Sequence, residues 1–198
     1  ETSWPPDESH LTTIAAAEAH ALRLFQADRR RFGLPEVTRS SALDSVARAH
    51  SEDMATHQFF GHVSPTTGSV SDRLRAAGVA TVLHGENIAR NETLWDAEVG
   101  LMRSIGHRRN ILHAEATEVG IGIADVSRSG RHQWVLTQVV ARPVPIIDPA
   151  EVAEAVVSAL NDARRAEGLD PLRRSGPLDG AAQREASTAG RPSAQGVL

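Results

Sequence analysis

The chain has 198 residues, 40% of them hydrophobic, and a formal net charge of −4, which is material for one ordinary domain with an extension or for two small ones. Arginines and acids are interleaved along it, so no basic face for tracking phosphates is built and nucleic acid is excluded as an expected partner. The absence of cysteine excludes disulfides, thiolate catalysis and cysteine-bound zinc, and no apolar run reaches the roughly 18 residues of a membrane helix.

Residues 1–10 read as a polar, proline-containing lead-in with neither the basic start nor the apolar core of a signal peptide, as expected where a leader has been cleaved or lies outside these residues. From Leu11 to Arg31 the spacing of Leu11, Ile14, Ala15, Ala21, Leu22 and Phe25 predicts a helix, stopped at Gly33. A short extended piece, Glu36 to Arg39, precedes a helix from Ser41 to His57, with Ser41 and Asp44 as a cap-like pair. His50 falls on the Leu43, Val46, Ala47 side of that helix, where a hydrogen-bonded core histidine is expected, and His57 suits the negative helix end.

Residues 58–70 predict a loop in which Phe59 and Phe60 anchor the Gly61-His62 pair. A short helix over Ser71–Ala77, ended by Gly78, leads to Thr81–Ala89, an apolar stretch around the polar knot Gly85-Glu86-Asn87. The turn Asn91-Glu92-Thr93 opens a helix over Leu94–Arg103. A loop containing Gly106-His107-Arg108-Arg109-Asn110 follows. Alternation then predicts a strand over Thr117–Val126, with Val119, Ile121 and Ile123 on one face and Gly120 and Gly122 on the other, where a neighbouring backbone approaches closely. Ser127–Gly130 is a turn, and His132–Ala141 is the return strand of a hairpin.

Pro143, Pro145 and Pro149 mark a linker over 143–148, and Asp148-Pro149 opens a helix that runs to Ala166. Shifted by 135 residues, this tail matches the first helices: Arg29-Arg30, Gly33-Leu34, Arg39-Ser40, Leu43-Asp44 and Ala47 recur as Arg164-Arg165, Gly168-Leu169, Arg174-Ser175, Leu178-Asp179 and Ala182. The expected organisation is therefore a first domain over 11–142 and a partial second copy over 149–187, with a flexible Gly/Ser/Ala/Pro-rich tail over 188–198. Glu185 stands at the His50 position, and about 50 residues of this kind need help to bury a core, by docking or by self-association.

Three segments carry possible chemistry: Phe60-Gly61-His62-Val63-Ser64-Pro65, Gly85-Glu86-Asn87-Ile88, and Ser104-Ile105-Gly106-His107-Arg108-Arg109-Asn110-Ile111-Leu112. Two imidazoles and a carboxylate are a common ligand set for open zinc sites, but spacing alone cannot show that they converge. Each also has a structural reading: Glu86 and Asn87 as turn acceptors, His107 and Asn110 as loop ties, Arg108 and Arg109 as a solvated pair. No Gly-x-Ser-x-Gly elbow and no phosphate-binding glycine loop is present.

In this order the segments resemble the CAP superfamily (cysteine-rich secretory, antigen 5 and pathogenesis-related-1 proteins) in its cysteine-free bacterial form. The resemblance implies an α+β fold, an α-β-α sandwich with a small antiparallel sheet between helical layers, here with a helical C-terminal extension. It also implies one cleft shared by His62, Glu86 and His107. The eukaryotic tetrad does not carry over: its tryptophan and second glutamate fall on Leu101 and Ser104, and its second histidine on Val135 before Thr137-Gln138. The expected site is thus His62, Glu86 and His107 around zinc or another divalent cation, with His84 as a further candidate ligand and Asn87, Ser104 and Asn110 supporting the cleft. The preferred function is a secreted or envelope-associated binding module for an extracellular ligand. The alternatives are a metal-dependent hydrolase with Glu86 as base, and a binder of lipid or another small apolar ligand.

Overall fold

The computed structural model describes residues 7–144 and 148–189, which fall in two compact units divided between Val144 and Pro145. The lead-in before Asp7, the linker residues 145–147 and the tail after Ala189 lie outside the described residues.

In the first unit, α1 (Ile14–Arg31) starts three residues later than its periodicity predicts, because Thr13 is the extended N-cap and accepts from Ala16 N. Leu11 is buried ahead of the helix. Strand β1 (Thr38–Arg39) leads into α2 (Ser41–Thr56). The predicted Ser41 cap is not formed: Ser40 is the N-cap and makes no side-chain bond, while Asp44 accepts from Ile121 N (2.8 Å) and Arg39 Nε (2.7 Å). The capping box belongs instead to α3 (Val70–Ala76), through Ser69 and Asp72. After it come β2 (Thr81–Asn91), α4 (Leu94–Arg103) and α5 (Ile105–Ile111), a short helix where a loop is predicted. Strands β3 (Glu118–Asp125) and β4 (Trp134–Pro143) complete the unit.

The sheet order is β1-β3-β4-β2, antiparallel except for the β1–β3 pair. Strand alternation sorts its side chains between two helical layers. Val119, Ile121, Ile123, Leu136 and Val140 pack with α1, α4 and α5, and Val139 and Ala141 pack with Leu43, Val46 and Ala47 of α2 and Leu74 of α3. Gly120 and Gly122 let α2 lie on the sheet: a Cβ on either would sit 2.1 Å from the backbone of Leu43 or Arg48. The result is the expected α-β-α sandwich, with β2 on the edge of the sheet.

The second unit holds α6 (Pro149–Ala166), capped by Asp148, and α7 (Gly176–Ala189). No described helix is long and apolar enough to cross a membrane.

Candidate functional site

Strand β2 sends Glu86 to one face of the sheet and Asn87 to the other, so the polar knot of the sequence becomes two buried networks. On the α2–α3 face, Glu86 is almost wholly buried. Its Oε2 accepts from Arg73 Nη2 of α3, and its Oε1 accepts from His62 Nδ1 at 3.0 Å. A carboxylate only accepts, so His62 carries its hydrogen on Nδ1 and Nε2 holds the lone pair in the neutral ring. His50 Nε2 stands 3.8 Å from the same Oε1 and donates to Gly61 O at 3.0 Å. Burial, the largest influence, pushes the His50 pKa down, with Glu86 pulling it up and Arg73 pushing it further down.

Arg73 is the residue that organises this face, and sequence reading does not single it out. Besides Glu86 it donates from Nη1 to Gly68 O (2.6 Å) and His62 O (3.3 Å), fastening the loop that carries His62. The same loop is tied to α2 through Asp53, which accepts from Ser64 Oγ and from Thr66 Oγ1 (2.9 Å). Of the two aromatics expected to anchor the loop, Phe59 packs beside Met54, Ile88 and Val135. Phe60 is half exposed, with the Arg90 guanidinium 5.0 Å from its ring centre.

On the opposite face, Asn87 Nδ2 donates to His107 O (3.2 Å) and Gln138 Oε1 (3.0 Å), while its Oδ1 accepts from Asn110 Nδ2 (2.9 Å). Asn110 Nδ2 also donates to Glu86 O (3.1 Å). The network ends on Glu98 of α4, whose Oε2 accepts from Gln138 Nε2 at 2.6 Å. Burial, reinforced by Asp28, pushes the Glu98 pKa up to about 8. Asn87 and Asn110 thus tie strand β2 to α5. Ser104 joins α4 to α5 through its backbone and makes no side-chain cap bond.

His62, from the α2–α3 layer, and His107, from α5 in the other layer, bring their rings to 6.2 Å at an interplanar angle of 42°. His62 is half exposed on its side chain. The His107 pKa is pushed down, first by burial and then by His62. Glu86 orients one imidazole of this pair but commits both oxygens to Arg73 and His62. Among the described residues, no group of three His, Asp or Glu side chains is arranged to hold a metal ion. The His84 nitrogens are engaged by Ser71 Oγ (2.8 Å) and Thr81 Oγ1 (2.9 Å), and His84 lines a groove of about 480 Å³ with Leu74, Arg75 and Val79.

Comparison with known proteins follows the same outline. Residues 22–140 match the sequence model of CAP, the cysteine-rich secretory protein family. Protein YkwD of Bacillus subtilis (strain 168) is 33% identical over 125 residues, covering 63% of this chain and 49% of its own length. Membrane protein YlbC of the same organism is 36% identical over 118 residues, covering 59% of this chain and 34% of its own. The chain therefore spans half or less of these relatives. A solved extracellular protein containing an SCP domain, from Bacillus anthracis str. Ames, superposes with a TM-score of 0.59 at 31% identity, over 71% of this chain and 45% of that one. An outer surface protein from Borrelia burgdorferi shares the fold at 11% identity, with a TM-score of 0.58 over 67% of this chain and 96% of that one.

Proposed function

The chain belongs to the CAP family of cysteine-rich secretory proteins, and from that membership and the geometry of its cleft we propose that it is an extracellular or envelope-associated binding module. Its recognition groups are the imidazoles of His62 and His107. The observation that carries this reading is the engagement of both Glu86 oxygens by Arg73 and His62. A carboxylate so committed orients His62 and does not serve as a base on water, so the binding reading is preferred to the hydrolase. The extracellular setting draws on the solved relative from Bacillus anthracis, an extracellular protein by name.

A divalent cation of the zinc class would be held through the two imidazoles, with Glu86 behind His62. A carboxylate hydrogen-bonded to the far nitrogen of a metal-binding histidine is a recurrent supporting arrangement. Such an ion would supply open coordination positions for a ligand's donor atoms.

Zinc titration calorimetry on the metal-stripped chain tests the proposal. One-to-one binding is expected, lost in His62→Ala and in His107→Ala while both variants keep the parent's circular dichroism. No binding by the parent, or binding that survives both substitutions, would overturn the cation-binding reading.

A further inference from the structure

Between α1, α4 and α5 of the first unit lies a cavity of about 300 Å³. Phe32, Trp95 and Met102 give it an apolar wall, Asp28 and Glu98 bring two carboxyl groups, and Arg31, Arg103 and Arg108 bring three guanidinium groups. These groups differ in depth: Glu98 is 2% exposed, Asp28 is half-buried and the arginines are exposed. None of the lining residues belongs to the His62, Glu86 and His107 set.

Glu98 is the lining group whose hydrogen bonding the fold leaves incomplete. Its Oε2 accepts from Gln138 Nε2, whereas its Oε1 is buried with no hydrogen-bond partner among the described residues. Such an orphaned oxygen is costly, so a molecule that enters the cavity and bonds it gains in proportion. Burial, with Asp28 nearby, holds the Glu98 pKa at about 8, so the carboxyl keeps its proton at neutral pH until a cation stands beside it. The charges narrow what can enter. A simple cation is drawn to Asp28 and Glu98 but opposed by three guanidinium groups, and a simple anion is opposed by Asp28. A molecule that carries both charges on an apolar body answers all three kinds of lining.

We propose that this cavity is a second binding site of the chain, for a free α-amino acid with an apolar or aromatic side chain. The ammonium group donates to Glu98 Oε1 and to the Asp28 carboxylate, and the ligand's carboxylate accepts from the exposed arginines. The ligand side chain lies against Trp95, Phe32 and Met102. On binding, the Glu98 carboxyl releases its proton to solvent and pairs as a carboxylate with the ammonium, so association is linked to the loss of one proton.

The test is calorimetric titration of L-phenylalanine into the full chain at a pH of about 6.5, below the Glu98 pKa. One-to-one binding is expected with a Kd of about 1 mM or tighter. It should be at least tenfold tighter than for L-phenylalaninamide, which lacks the carboxylate, and for 3-phenylpropionate, which lacks the ammonium. Heats in buffers of different ionisation enthalpy should show about one proton released, and affinity should rise as the pH approaches 8. The arginines facing Glu98 keep their charge throughout, and Asp28→Asn separates the other acid: it should weaken binding and leave the proton release in place. Glu98→Gln keeps an acceptor for Gln138 and should lose both binding and proton release with its circular dichroism unchanged. Arg103→Ala/Arg108→Ala should weaken L-phenylalanine at least tenfold without weakening L-phenylalaninamide. No binding by the folded parent overturns the proposal, as does binding that survives Glu98→Gln. Equal affinity for L-phenylalaninamide also overturns it, by showing a site for an amine alone, such as the first residue of a peptide.

Discussion

Arg73 Nη2 donates to Glu86 Oε2 in a pair whose side chains are only 5% and 2% exposed, so the Glu86 carboxylate is paired inside the fold. Removing either partner strands the other charge away from water. Arg73→Ala and Glu86→Ala should each cost about 3–5 kcal/mol of unfolding free energy in urea titration. The double substitution Arg73→Met/Glu86→Leu should recover part of that loss. Single-variant losses below about 1 kcal/mol would mean that the pair is solvated.

Gly120 and Gly122 face the backbone of α2, with 2.1 Å between that backbone and any added Cβ. Overpacking usually costs about 1–3 kcal/mol, and main-chain atoms cannot rotate aside as a side chain does. Gly122→Ala should therefore cost at least about 3 kcal/mol by denaturant unfolding. Gly100 in α4 has nothing within 4 Å of where an added methyl would sit, so Gly100→Ala should instead add about 0.5–1 kcal/mol through helix propensity.

Glu98 predicts a pH dependence. Its pKa lies near 8 in the folded chain against an ordinary 4.5, so between these values the unfolded chain has released a proton that the folded chain retains. Glu98 therefore lowers stability as pH rises from about 4.5 to about 8, by an amount on the order of a few kcal/mol. Glu98→Gln keeps an acceptor for Gln138 and removes the titration. The stability difference between variant and parent should grow across this window and level off above it. A difference that does not change with pH would show that Glu98 ionises normally.

Glu8 accepts from Leu94 N (2.7 Å) and Trp95 N (2.6 Å), so a side chain from ahead of α1 satisfies the first turn of α4. Glu8→Ala should cost about 1–2 kcal/mol and speed exchange at these two amides. Unchanged exchange there would show that the cap does not form in solution.

The sheet and its sidedness are legible in the sequence, because Val119, Ile121 and Ile123 alternate with two glycines and that period has one structural meaning. His62, Glu86 and His107 are legible as candidates because each neighbours a glycine in a polar knot. Arg73 is not: an arginine in a seven-residue helix looks like any solvated charge, and its partner lies 13 residues away on a strand. Residues 105–111 read as a loop because Gly106 and two arginines hide any apolar period, yet Ile111 is buried and closes the helix against the core. Glu98 could have been found, since it lies on the stripe formed by Leu94, Ala97 and Leu101, the face that a helix buries.

Glu86 as the orienting carboxylate of an imidazole pair is tested most directly by long-range ¹H–¹⁵N spectra of the histidine rings, recorded with and without one equivalent of zinc. The account predicts that His62 keeps its Nδ1 proton, bonded to Glu86, while His62 Nε2 and one nitrogen of His107 shift together. Loss of the His62 Nδ1 proton on adding zinc would break its bond to Glu86 and contradict the orienting role. Unchanged spectra for both rings would contradict the shared cation site altogether.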